Sequence, residues 1–303
     1  MSDRCSFFVS GRTWTNGANV GCYCNSISSI ILIVVILSLR IIFWIFRSGS
    51  RLVQNDHERL HFSQSQHLEL NNRLTAIRER IAKTAESAGR NPEDIRLIAV
   101  TKTASPVLAE HLLTLGIQDM AENRWQVARE KLVHPFAARV RWHFIGPLQS
   151  NKIKSIASAF SVVHALEDAE HAEQFEQILT SLGKHMEAFV QVNVSGEPQK
   201  HGVHPENLHL LLQKLQNYKF LRVVGLMTMA PLTRDSIEIR RTFRGLANLL
   251  GEERERLSWG NLQYLSMGMS NDYELAIAEG ATHLRIGRQL VSLEDTPEGG
   301  ESR

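Results

Sequence analysis

Residues Tyr264–Arg288 read YLSMGMSNDYELAIAEGATHLRIGR. The pattern is one strand–helix–strand unit: an apolar strand over Tyr264–Gly268, a helix over Asn271–Glu279, and a second strand over His283–Gly287. The same unit recurs upstream. Strand patterns fall at Arg96–Lys102, Ile117–Asn123, Arg141–Gly146, Val162–Glu167, Glu187–Ser195 and Leu221–Ala230. Helical patterns lie between them, among them Ser105–Leu115, Asp168–Leu182, Pro205–Tyr218 and Ser236–Glu255. Runs such as LIAV, AFVQVNV and LRVVGLM are nearly continuous apolar, as expected of strands with helices on one face and a packed interior on the other. Strands alternating with helices imply a parallel sheet. Eight units in about 235 residues have the size of a closed barrel. An open doubly wound sheet is the competing architecture, but neither G-x-G-x-x-G nor a P-loop occurs. The expected fold class is α/β, a single (β/α)8 TIM-type barrel over residues 71–292, followed by a C-terminal tail at 293–303.

Ahead of the first strand, Asn72–Ala88 places Leu74, Ile77, Ile81 and Ala85 on one helical face, and Gly89 and Pro92 stop it. Residues 48–70 read as a polar linker, and residues 1–47 as an N-terminal extension outside the barrel. Within that extension, 27–46 reads ISSIILIVVILSLRIIFWIF, about the length needed to cross a bilayer. Arg40 interrupts it near one end, where its stem lets the guanidinium reach the headgroups. Arg47 and Arg51 follow it, and this bias places the body in the cytoplasm. The run is long for a cleaved signal peptide, and no A-x-A site follows. Two readings of residues 1–50 stand: a membrane anchor, or an over-extended gene start. Because no methionine lies between Met1 and Met120, the second needs a non-standard start such as Val53.

Lys plus Arg total 34 and Asp plus Glu 32, a net charge of +2 with no basic stretch, which argues against a nucleic-acid binder. The hydrophobic fraction of 43% suffices for a substantial core. All cysteines (Cys5, Cys22 and Cys24) precede the body. The body therefore has no disulfide framework, thiolate metal site or cysteine nucleophile, and fits a reducing, cytoplasmic setting.

In such a barrel the reactive groups collect at the C-terminal ends of the strands. Those ends are Lys102, Asn123, Gly146, Glu167, Asn193 with Ser195, Thr228, the segment Ser266–Ser270, and Gly287 with Arg288. Ile98, Val100 and Lys102 share a strand face. A lysine aimed into the barrel mouth is desolvated, which favours the neutral amine that imine formation requires; a lysine simply reaching solvent is the competing reading. The stretches MGMSND and IGRQ follow strands seven and eight, the usual phosphate corner. There Gly268 and Gly287 would let backbone approach an anion, and Ser270 offers a hydroxyl. Ser270-Asn271-Asp272 also reads as the N-cap of the last helix, with or without a ligand. Arg285 places a charge inside the strand HLRIG; it either faces a ring nitrogen or pairs with a buried carboxylate.

Other motifs carry less. His164, Glu167, Asp168 and His171 form no metal-ligand spacing and read as a solvated strand-to-helix turn. Gly268-Met269-Ser270 lacks the second glycine of a nucleophile elbow. Asn193-Val194-Ser195 matches a glycosylation sequon by chance.

The stretches IAVTKTAS, AENRWQ, WHFIGPLQSNK, VNVSGEPQKHG, GLMTMAP and LSMGMSNDYELAIAEGATHLRIGR resemble, in order, the pyridoxal phosphate homeostasis protein family, barrel proteins related to the N-terminal domain of alanine racemase. The resemblance covers about Asn72 to Leu290. It implies that Lys102 forms the aldimine with pyridoxal 5′-phosphate (PLP), that Ser270, Gly287 and Arg288 contact its phosphate, that Arg285 lies near the pyridine nitrogen, and that Asn123 borders the cofactor. Ala121, Pro147, Arg288 and Val291-Ser292 depart from the family's usual residues. The resemblance further implies a carrier that buffers and delivers PLP to PLP-dependent apoenzymes, with no catalytic reaction expected. The alternative is a weak PLP enzyme such as an amino-acid racemase. That activity requires an opposed acid/base, typically a tyrosine from a second domain; only 16 residues follow Gly287, and none of Tyr218, Tyr264 and Tyr273 ends a strand. A lone closed barrel is expected to be a monomer.

Overall fold

The structure is a computed structural model and describes residues 63–197 and 199–292. Its eight strands are β1 (Arg96–Val100), β2 (Asp119–Glu122), β3 (Arg141–Phe144), β4 (Val162–Leu166), β5 (Met186–Gln191), β6 (Leu221–Met227), β7 (Tyr264–Met269) and β8 (His283–Ile286). They run in sequence order around a closed barrel, and the parallel pairing of β1 with β8 completes it. Helix α1 (Gln64–Ser87) precedes β1. After successive strands come α2 (Pro106–Thr114), α3 (Trp125–Leu132), α4 (Ile153–Ala159), α5 (Ala169–Leu182), α6 (Pro205–Leu215), α7 (Ser236–Arg256), α8 (Tyr273–Ala278) and α9 (Arg288–Val291). The expected (β/α)8 architecture is the one observed.

Local chemistry sets the boundaries. Helix α1 begins at Gln64, inside the stretch 48–70 that the sequence reads as linker. Ser63 and Gln66 form a reciprocal capping box, and Leu70 extends the buried stripe of Leu74, Ile77, Ile81 and Ala85 by one turn. Ser105 and Asp168, the starts expected for α2 and α5, cap those helices through their side-chain oxygens, so each helix proper begins one residue later. The apolar segment 27–46, the rest of the linker and the tail 293–303 lie outside the described residues. Among the described residues, no helix is long and apolar enough to cross a membrane.

Most of the apolar core lies between barrel and helices. Inside the barrel, Ile98, Val100 and Ala121 form one small cluster and Val162, Ala165, Phe189 and Met227 another. The remaining interior is polar: His143, His164, Ser266, His283 and Arg285 are all buried. Barrel interiors are usually filled by branched apolar side chains, so this polar layer requires a specific hydrogen-bonded account, given below.

Gly268 has a packing role beside the one expected of it toward an anion. Its φ of +92° favours glycine, and an added Cβ would lie 2.7 Å from the Ala276 Cβ of α8. The glycine lets α8 close onto β7. Gly268→Ala is expected to lower stability by at least ~1 kcal/mol, read as a drop in the urea midpoint at unchanged slope.

Candidate functional site

Strand order brings the C-terminal ends of β7, β8, β1 and β2 side by side. Met269 pairs with Arg285, Ile286 with Ala99, and Val100 with Ala121. Ser270, Gly287, Arg288, Lys102 and Asn123, each just beyond one of these strands, therefore share one arc of the rim. The backbones meet closely there. A Cβ on Gly146 would lie 1.9 Å from the Asn123 carbonyl oxygen, and one on Gly287 would press on Val100 at 3.3 Å. The role of Gly287 in strand contact stands beside its expected role toward an anion.

Lys102 departs from expectation in one respect. Strand β1 ends at Val100, and Thr101–Ala104 closes a turn through the Ala104 N–H to the Thr101 carbonyl (2.9 Å). Lys102 is consequently exposed, not desolvated by a continuing strand. Its side chain forms no hydrogen bond or ion pair among the described residues. Its flanks are held firmly. Thr101 donates to Glu122 Oε1 (2.6 Å), and the Lys131 ammonium of α3 lies 3.0 Å from the same oxygen. Glu122 and Lys131 are 0% and 2% exposed, so the anchor lies in the dry layer behind the barrel wall. It ties the residue before Lys102 to the residue before Asn123. Sequence reasoning passed over this pair, because its members sit nine positions apart on a strand and a helix.

Arg285 is 4% exposed. Its Nη1 donates to Ser266 Oγ (2.6 Å) and its Nη2 to the Thr228 carbonyl (3.0 Å). The carboxylate partner offered as the competing reading is not found: no ion pair engages Arg285 among the described residues. Burial pulls its pKa down to about 10, against the opposing field of Asp272. Asp272 instead accepts the Met269 N–H (2.6 Å), and burial raises its own pKa. Ser270 is buried, and its hydroxyl has no partner among the described residues. Asp272 is the N-cap of α8 as expected, without a side-chain bond into that helix. That helix is not the last, since Gly287 caps α9, with the exposed Arg288 as its first residue.

The departures from the usual family residues fit their surroundings. Ala121 packs in the interior cluster with Ile98 and Val100, Pro147 is exposed, and Val291 is buried against the core. His164 is corrected: it is fully buried in the barrel interior, because it faces inward from the middle of β4. Asp168 and His171 do form a cap at the start of α5. Glu167 accepts the Gly202 N–H (2.6 Å), pinning the loop after β5. Asn193 is 3% exposed and bonded within that loop, so the sequon is inaccessible. Among the described residues no cluster of His, Cys, Asp and Glu could hold a metal.

Burial lowers the pKa of His143, His164 and His283, the last to about 3. The sign follows from linkage. The unfolded histidine binds a proton below about pH 6.5 that the folded one refuses, so this stability is present above pH 6.5 and lost as pH falls towards 3. His283 alone should account for about 2 kcal/mol of lost stability between pH 6.5 and 5. Urea midpoints across that range should shift less for His283→Asn than for wild type.

A closed parallel barrel with a lysine, a serine hydroxyl unpartnered among the described residues and an arginine along one rim arc is, in class, an alanine racemase-like barrel. The family model for alanine racemase, N-terminal domain, matches residues 73–295. Pyridoxal phosphate homeostasis protein from Aquifex aeolicus is 35% identical over 218 residues, covering 72% of this chain and 95% of that protein. The Pseudomonas aeruginosa protein of the same name is 36% identical over 222 residues, covering 73% and 94%. PipY from Synechococcus elongatus, solved with PLP bound, superposes with a TM-score of 0.65 at 29% identity, covering 73% of this chain and 99% of PipY. The chain belongs to the pyridoxal phosphate homeostasis protein family.

Proposed function

We propose that this chain holds and releases pyridoxal 5′-phosphate at the C-terminal rim of its barrel, acting in homeostasis of the cofactor. The observation that carries this reading is Arg285, a buried cation in no ion pair among the described residues, next to a rim that carries a Ser270 hydroxyl likewise without a partner among them and the exposed Lys102 amine. Those groups suit a ligand with an anionic phosphate, an aromatic ring acceptor and an aldehyde. When bound, PLP supplies an aldehyde that condenses with a primary amine and expels one water.

The chain's own residues divide the work. Lys102 supplies the amine, and its exposure lets water return to reverse the linkage, as a carrier needs. Ser270 and the N–H groups around Gly287 and Arg288 hold the phosphate. Arg285, which can donate but not accept, would favour an unprotonated ring nitrogen in a ligand held opposite it. Asn123 borders the ring. Because Arg288 is exposed, its charge adds only a screened attraction. Arg288→Thr is expected to weaken PLP binding by roughly two- to fivefold, with the difference shrinking at high salt.

A carrier is favoured over a racemase by where the tyrosines fall. Tyr264 begins β7 at the opposite end of the barrel, Tyr273 is buried at the start of α8 near Arg80, and Tyr218 follows α6. None ends a strand at the rim to oppose a base across a substrate. Incubating the PLP-loaded protein with L- and D-alanine in D2O tests this. No Cα exchange above the free-cofactor background, with transfer of PLP to an added apoenzyme, is expected. Rapid exchange that depends on Lys102 overturns the carrier reading.

A further inference from the structure

A single file of hydrogen bonds runs through the barrel interior. Asp119 Oδ1 lies 2.8 Å from His143 Nε2, and His143 Nδ1 lies 2.9 Å from His164 Nε2. His164 Nδ1 lies 2.8 Å from Ser266 Oγ, which accepts from Arg285 Nη1 at 2.6 Å. The file begins at the N-terminal end of β2, crosses β3, β4 and β7, and ends on β8 beneath the rim.

The two ends fix its direction. An ionised carboxylate only accepts, and a guanidinium only donates. Arg285 therefore donates to Ser266, Ser266 to His164 Nδ1, His164 Nε2–H to His143 Nδ1, and His143 Nε2–H to Asp119. Each inner member gives one hydrogen and takes one, and both imidazoles are neutral. Running the file the other way requires a protonated Asp119 and gives Ser266 two donors. Against burial, which alone would raise it, the hydrogen bond from His143 and the charges of Arg96 and Arg141 hold the Asp119 carboxyl below its ordinary value. Burial holds both histidines below theirs. Phe189 stacks on the face of His164 with centroids 4.5 Å apart.

We propose that this one-way file, anchored on the Asp119 carboxylate that also pairs with Arg96 (3.2 Å), positions Arg285 toward the ring nitrogen of the ligand. It explains how a cation this deeply buried stays in place when Asp272 acts on it only through space and no ion pair engages it among the described residues, and why the barrel interior is polar. Aligned donors of this kind stabilise one another in a low-dielectric interior. Asp119, His143, His164 and Ser266 are thus positioning residues that act through Arg285. The proposal rests on the PLP-binding reading above.

Two measurements test it. Nitrogen-15 NMR of histidine-labelled protein, with and without PLP at pH 7, should show His143 and His164 both neutral with the hydrogen on Nε2. An Nδ1–H tautomer at either ring overturns the file, whatever the protein binds. Titration with PLP should then show Asp119→Asn, which keeps the acceptor oxygen but removes the charge, and Ser266→Ala, which cuts the file, each weakening binding about tenfold, as expected for a charge-assisted bond. His283→Asn, inside the barrel but off the file, should stay within about twofold of wild type on the same scale. Equal losses in all three variants, or wild-type affinity in Asp119→Asn and Ser266→Ala, overturn the positioning role. Failure of the wild type to bind PLP overturns the functional reading itself, and this role with it, while the tautomers still report on the file.

Discussion

Lys102→Ala is expected to remove the absorbance band near ~420 nm that a lysine-linked PLP gives, while leaving the fold as stable as wild type. Both halves follow from the geometry. The Lys102 side chain is exposed and makes no bond among the described residues, so its loss should alter stability by no more than about 0.5 kcal/mol. Its amine is also the only primary amine on the β7–β8–β1–β2 arc of the rim positions named above. The mutant should still bind PLP weakly, since Ser270, Gly287, Arg288 and Arg285 remain, and that residual binding should not resist dialysis. A mutant that keeps the band, or a mutant that unfolds, contradicts the assignment.

The largest stability effect is expected at Lys131. Its side chain is 2% exposed and its ammonium lies 3.0 Å from Glu122 Oε1, while Glu122 Oε2 is buried with no hydrogen-bond partner among the described residues. Lys131→Met leaves a buried carboxylate answered only by the Thr101 hydroxyl (2.6 Å). Breaking such a pair from one side costs about 3–5 kcal/mol, because the remaining charge stays buried and uncompensated. Removing both charges should recover most of this loss, so the Glu122→Gln/Lys131→Met double variant should lie nearer wild type than Lys131→Met does. Denaturant midpoints of the four proteins measure the cycle. Because Thr101 and Glu122 flank Lys102 and Asn123, Lys131→Met should also weaken PLP binding at temperatures where it remains folded. Additive single-variant losses would show that the pair is not coupled as its geometry requires.

What the sequence made legible has a physical pattern. Several strands announce themselves because a parallel barrel strand is buried on both faces and therefore reads as a nearly unbroken apolar run, as in LIAV and LRVVGLM. The rim positions follow, since every strand's last residues point to the same end. Strand termination was harder to read. Nothing in AVTKTA says that the ladder stops at Val100, and that one difference turns Lys102 from a buried to an exposed lysine. The start of α1 was missed for a similar reason, since the Ser63–Gln66 capping box lies in a stretch whose composition looks like linker.

The interior file escaped for a different reason. His143 in RWHF and His164 in VVHAL stand out as isolated polar residues in apolar strands, so a signal was present. Which of them meet depends on the stagger between neighbouring strands, such as the pairing of Ala121 with His143 and the register shifts between β4 and β5 and between β7 and β8. A single strand's sequence does not carry that stagger. Arg285 was legible as a charge in the wrong place, but not its partners, because Thr228 contributes only a carbonyl and Ser266 is an unremarkable residue two positions before Gly268.

The most direct test of the central claim is to load the protein with PLP, reduce it with borohydride, digest it and map the pyridoxyl group by mass spectrometry. The label is expected on Lys102 alone, near-stoichiometric, and absent when reduction is omitted. A label on another lysine, or none on the folded protein, would contradict the assignment of this rim as the cofactor site.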